Sequence, residues 1–210
     1  VDPHESFFYA LSADNGNILW KAALPGQPWG EPALDIHSGI ILNNTGIGQI
    51  GLSKRTDRGW AQAFARDGKI LWQKDLPNMA MTPNVVISSM EAVLYVTKGG
   101  IVLAADITTG KTIWEKDYRD IFYAPAVMLP SRDDTMIALI SNSGVFRIID
   151  PANGNVLYMN KVGDSSRSTP AYRNNVVFIS SLNEIIGNNV KISKEDWYKT
   201  SSARNFRRYG

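Results

Sequence analysis

The chain has 210 residues, 44% of them hydrophobic, with a formal net charge of +2, enough to bury a core and to be read as one domain. It has no cysteine, which excludes disulfides, thiolate metal sites and a cysteine nucleophile, and no run approaches the about 18 apolar residues of a membrane span. The charge is uneven: Lys191, Lys194, Lys199, Arg204, Arg207 and Arg208 give residues 191–210 a sum of +4, so the rest is slightly acidic and lacks the basic patch of a nucleic-acid binder.

In chain order, one phrase occurs four times. It reads ALSADNGNILW at 10–20, FARDGKILW at 64–72, AADITTGKTIW at 104–114 and IIDPANGNVLY at 148–158. Each phrase predicts a strand, a hairpin closed by Gly16, Gly68, Gly110 or Gly154, and a second strand carrying Trp20, Trp72, Trp114 or Tyr158. Asn15-Gly16, Asp67-Gly68 and Asn153-Gly154 are dipeptides that accept positive φ in tight hairpins. A second mark follows each aromatic: Pro32-Ala33, Pro83-Asn84, Pro125-Ala126 and Pro170-Ala171. Proline cannot donate to a ladder and so suits the start of a strand. A β-rich run comes next each time, beginning near Ile40, Val93, Met136 and Val176.

Two marks recurring four times give four strands per unit, and the hairpin glycines are 52, 42 and 44 residues apart. A period of about 40–50 residues is that of β-propeller blades. The fold expected is therefore all-β: a β-propeller of four-stranded antiparallel blades, about four in this chain. Residues 1–192 form the blades, with a half-blade at the start and another at the end, and residues 193–210 form a basic tail or a short helix capped by Ser193. If the two halves meet, the ring closes with four blades. The chain opens at Val1 without a methionine, the mark of a processed or excised segment, so a piece of a larger ring is equally consistent, as is a homodimer completing the ring. A hairpin across Glu184–Ile192 would instead finish the last blade and leave the first half-blade without its mate.

The third phrase matches the pattern A-x-D-x-x-T-G-x-x-x-W through Ala104, Asp106, Thr109, Gly110 and Trp114. On these residues the chain resembles the pyrroloquinoline-quinone-like, or quinoprotein-type, β-propeller repeat family over roughly residues 7–180. The first phrase departs from the pattern at Ser12 and Asn15, the second is shorter by one residue, and the fourth has Ile148, Asn153 and Tyr158. The resemblance implies a propeller in a periplasmic or extracellular compartment. A looser similarity, to the propeller lipoproteins of the outer-membrane barrel-assembly machinery, implies a scaffold that holds a protein.

Propeller geometry sorts the loops onto two faces. The insertion between Thr45 and Trp60 lies on the face shared with the links between blades, where insertions tend to bind. Trp29, Arg55, Arg58, Trp60, Arg119, Tyr123 and Arg167 are the candidate binding residues there, being of the types that dominate interface hot spots. Trp20, Trp72, Trp114 and Tyr158, with Gly16, Gly68, Gly110 and Gly154, are expected to be structural.

Catalytic chemistry is not legible. His4 and His37 do not make a metal motif, and Gly110-Lys111-Thr112 lacks the glycine and the helix of a phosphate loop. No catalytic or metal residue and no cofactor is expected. The function expected is a non-catalytic scaffold for a protein or peptide partner, with no nucleic acid and no membrane span. The alternatives are a small-molecule-sensing ectodomain, or a fragment of a quinone-dependent dehydrogenase, for which the cofactor would be pyrroloquinoline quinone with calcium.

Overall fold

The computed structural model describes residues 5–48, 57–130, 135–174 and 176–181, and the backbone of 185–189. Five antiparallel sheets follow one another along the chain. The first holds β1 (Ser6–Leu11) and β2 (Ile18–Leu24). The second begins with two short strands, β3 (Gln27–Pro28) and β4 (Ala33–Leu34), which both pair with β5 (Ile41–Ile47). It continues through β6 (Arg58–Phe64) and β7 (Ile70–Leu76). The third runs β8 (Val85–Ile87), β9 (Ala92–Val96), β10 (Ile101–Asp106) and β11 (Thr112–Asp117). The fourth runs β12 (Val127–Pro130), β13 (Thr135–Ile140), β14 (Val145–Ile149) and β15 (Val156–Lys161).

The fifth sheet has β16 (Ala171–Arg173), β17 (Val176–Ser180) and β18 (Ile185–Asn189). The second strand, β17, therefore has β18 as its third-strand partner, in register from Val176↔Asn189 to Ser180↔Ile185. That is the place β1 would occupy if the two ends shared a blade. The tail at 193–210 lies outside the described residues.

Three apolar clusters fill the seams. Leu42, Ala61 and Ala63 meet Val93, Tyr95 and Leu103 between the second and third sheets. Ile87, Leu94 and Ala104 meet Ile137, Leu139 and Ile149 at the next seam. Leu129, Ala138 and Phe146 then meet Val177 and Ile179. Since successive strand side chains point to opposite faces, each central strand feeds two seams at once, which is why β9 is buried at every position.

The glycine hairpins differ from the sequence expectation in one detail. Only the glycine of each pair is left-handed, with φ of 75° at Gly16 and 69° at Gly154. The loop is closed from Gly16 N–H to the Ser12 carbonyl and from Gly110 N–H to the Asp106 carbonyl, and a register shift accompanies each hairpin. The reason is local. Asp106 accepts from the Thr109 amide at 2.7 Å and the Thr109 hydroxyl at 2.8 Å, holding a longer turn than a two-residue loop could.

The aromatics stand at the seams. The Trp20, Trp72 and Trp114 indole N–H groups donate to the carbonyls of Arg66, Ile107 and Pro151 in the next sheet at 2.8, 2.8 and 2.7 Å. The same rings lie on the hairpin glycines: a Cβ at Gly68, Gly110 or Gly154 would fall 2.6–2.7 Å from them.

Candidate functional site

In an antiparallel blade, the link from the fourth strand to the next blade shares an end with the loop between the second and third strands. These two kinds of loop are hydrogen-bonded to each other here. Lys98 N–H donates to the Met79 carbonyl at 2.8 Å, and Phe122 N–H reaches the Lys98 carbonyl at 3.4 Å. Asn142 N–H donates to the Ile121 carbonyl at 2.7 Å, and the Ser165 hydroxyl donates to Asn142 Oδ1 at 3.2 Å. The bonds run from the start of the third blade to the start of the fifth and join the loops into one framework.

Two charged pairs reinforce it. Lys98 Nζ lies 2.6 Å from Asp57 Oδ2, both side chains being at most 2% exposed, with Met79 Sδ 3.7 Å from the ammonium. The pair ties the base of the 46–59 loop to the next blade. Gly48 packs there so closely that a Cβ would sit 2.5 Å from Asp57 Oδ1. The second pair is Arg147–Asp120 at 3.4 Å. The Arg147 guanidinium lies 5.7 Å from the Tyr118 ring centroid and 5.9 Å from that of Phe122, within cation–π range. Burial pushes the Asp120 carboxyl up, but hydrogen bonds from Ser141, Ser143 and the Ile121 amide, with Arg147 beside it, leave it below its ordinary value.

The sequence-predicted binding residues fall into two groups on this framework. Arg58 is exposed and its guanidinium lies 5.8 Å from the ring of half-buried Trp60, which is wedged against the backbone of Gly26. Arg167 is exposed and lies 4.8 Å from the ring of Tyr123. Arg119 is exposed too, in a left-handed conformation at φ 53°. Trp29 is half-buried, and its indole nitrogen, like the Tyr123 hydroxyl, is enclosed without a hydrogen-bond partner among the described residues. Arg55 lies outside the described residues.

Sequence reasoning missed both charged pairs. Lys98 reads as an ordinary hairpin residue. Arg147 did leave a signal, since it interrupts the apolar run Val145, Phe146, Ile148, Ile149 at a position whose register equivalents are Leu103 and Gln62.

Among the described residues no group of three or more His, Cys, Asp or Glu could hold a metal ion. No described helix is long and apolar enough to cross a membrane.

Sheet order, hairpin aromatics and seam geometry define a β-propeller of the quinoprotein-type repeat. A family model described as outer membrane protein assembly factor BamB matches residues 57–208, and the chain belongs to that family. BamB from Moraxella catarrhalis superposes with a TM-score of 0.66 at 17% identity, covering 83% of this chain and 50% of that one. The computationally designed Ika4 protein gives 0.59 at 12% identity, covering 80% of this chain and 94% of its own. The quinohemoprotein alcohol dehydrogenase from Comamonas testosteroni gives 0.58 at 13% identity, covering 75% and 33%. The chain thus spans about half the length of the BamB structure it resembles. No curated protein matches the sequence.

Proposed function

We propose that this chain is a non-catalytic scaffold which holds a protein partner on its loop face, in the periplasm, as part of outer-membrane protein assembly. The observation that carries the reading is the loop framework. Exposed Arg58 stands beside the half-buried ring of Trp60 and exposed Arg167 beside that of Tyr123, with Arg119 exposed on the same backbone tied from blade to blade. A binding surface gains from side chains ordered before the partner arrives, because less freedom is lost on association. Arginine and large aromatics are also the residues on which interface energy concentrates. Membership of the BamB family supports the assignment to assembly, and we propose that the scaffold works without a bound quinone or metal.

Site-specific photo-crosslinking tests this reading. A crosslinker placed at Arg119 or Arg167 should join the chain to an outer-membrane assembly component purified without BamB, and one placed at Lys69 on the hairpin face should not. Equal labelling from both faces, or none from the loop face, would refute it.

A further inference from the structure

On the hairpin face, the seam between the second and third sheets opens into a cavity of about 480 Å³, within the range of about 300–1,000 Å³ of small-molecule sites. Its walls include Asp35 and Ser38, from the link between β4 and β5, and Ser88, Glu91 and Thr108, from two turns of the third sheet. Both sheets have all their strand positions filled, so the cavity belongs to a finished seam.

Asp35 is its buried anchor, at 6% exposure. Ser38 donates to Oδ2 from its amide at 3.0 Å and from its hydroxyl at 2.6 Å. The Ser88 hydroxyl reaches Oδ1 across the seam at 3.3 Å. The Ser38 bonds hold the carboxyl below its ordinary value, and because a carboxylate accepts about four hydrogen bonds, Oδ1 keeps acceptor capacity. Asp57 and Asp120, the carboxylates of the loop framework, are paired with Lys98 and Arg147 at 2.6 and 3.4 Å. Asp35 has no such ammonium or guanidinium; its ion-pair contact is with exposed His37 at 3.8 Å, and Arg66 lies against Gly39.

Glu91 brings the second carboxylate. Ala63↔Trp72 and Ala104↔Trp114 are equivalent pairs, which aligns Leu42 with Leu94 and therefore Gly39 with Glu91. Both residues are left-handed, at φ 72° and 49°. Glycine takes that conformation freely and a glutamate only at a cost. What the glutamate adds in return is a charge on the cavity wall. No lysine or arginine lines the cavity, and its acids are not gathered closely enough to hold a metal ion.

We propose that this cavity binds a small aliphatic diamine, with one ammonium on Asp35 and the other on Glu91. The serine and threonine hydroxyls accept the remaining N–H donors, and Ile107 gives the methylene chain an apolar wall. The site lies away from the loop face, and its occupation does not depend on what that face binds.

Titration calorimetry of the intact chain with cadaverine tests this. The diamine should bind saturably, at one molecule per chain. Glu91→Gly should weaken binding about tenfold or more without lowering the melting temperature, because glycine suits the left-handed backbone. Asp35→Asn, which removes the charge and keeps the shape, should weaken binding to a similar degree. Pentylamine, with a single ammonium, should bind at least about tenfold more weakly than the diamine. No saturable binding at about 10 mM cadaverine, undiminished binding by Glu91→Gly, or equal binding of pentylamine or of calcium would each overturn the proposal.

Discussion

The indole nitrogen of Trp114 lies 2.7 Å from the carbonyl oxygen of Pro151, and the same ring closes over Gly154, where a Cβ would fall 2.6 Å away. One side chain thus satisfies a polar group and fills a seam. Trp114→Ala should destabilise by about 3–5 kcal/mol, and Trp114→Phe, which keeps a ring but loses the hydrogen bond, by about 1–2 kcal/mol. Chemical denaturation reads both; a change under about 0.5 kcal/mol for the alanine variant would be inconsistent with a seam role.

Glycine substitutions separate backbone strain from packing. Gly16 and Gly154 both have left-handed φ, so alanine at either carries a conformational cost of about 1–2 kcal/mol. Only at Gly154 does the new methyl meet an indole. Gly154→Ala should therefore lower stability clearly more than Gly16→Ala in parallel melts, and equal losses would contradict the seam geometry.

Lys98 and Asp57 test the base of the loop. Removing one member of a fully buried ion pair costs about 3–5 kcal/mol, whereas replacing both with apolar side chains is often neutral. Lys98→Met should be strongly destabilising, and Lys98→Met with Asp57→Leu should recover much of the loss. A double variant as unstable as the sum of the singles would show that the two side chains act independently.

Acid should weaken the hairpins in a defined direction. The Thr109 hydroxyl, and then the Thr109 amide, hold the Asp106 carboxyl below its ordinary value, and Ser38 does the same for Asp35. A carboxyl whose pKa is depressed on folding contributes stability that is fully present above its unfolded pKa, about 3.9, and is lost as pH falls through the folded value. Thr109→Val should flatten the decline of the melting temperature below about pH 4. An unchanged slope would mean that Asp106 does not contribute to it.

The blades were legible in the sequence because their determinants are local. A glycine and an aromatic four residues later recur with each unit; the glycines are left-handed, and the aromatic of one unit lies on the glycine of the next, Trp72 on Gly110 and Trp114 on Gly154. The site was less legible. Arg58 beside Trp60 follows from a short spacing along β6, but Arg167 over Tyr123 joins loops of two blades, and no sequence period encodes that approach. Lys98–Asp57 was hidden for the same reason, since burial of a lysine is decided by the chain packed around it. Asn-Gly and Asp-Gly signal a tight hairpin with positive φ but not the length of its loop; side-chain bonds such as those from Thr109 to Asp106 hold the loop in which the glycine alone is left-handed.

The most direct test of the scaffold reading is the affinity of the chain for outer-membrane assembly components purified without BamB, measured for wild type and for Arg58→Glu with Arg167→Glu. Both arginines are exposed, so the double variant should fold and melt like wild type. The account predicts binding weakened at least about 100-fold, or roughly 2.7 kcal/mol, with Lys69→Glu and Lys111→Glu on the hairpin face leaving it unchanged. Undiminished binding by the arginine variant, or equal losses from both faces, would contradict it.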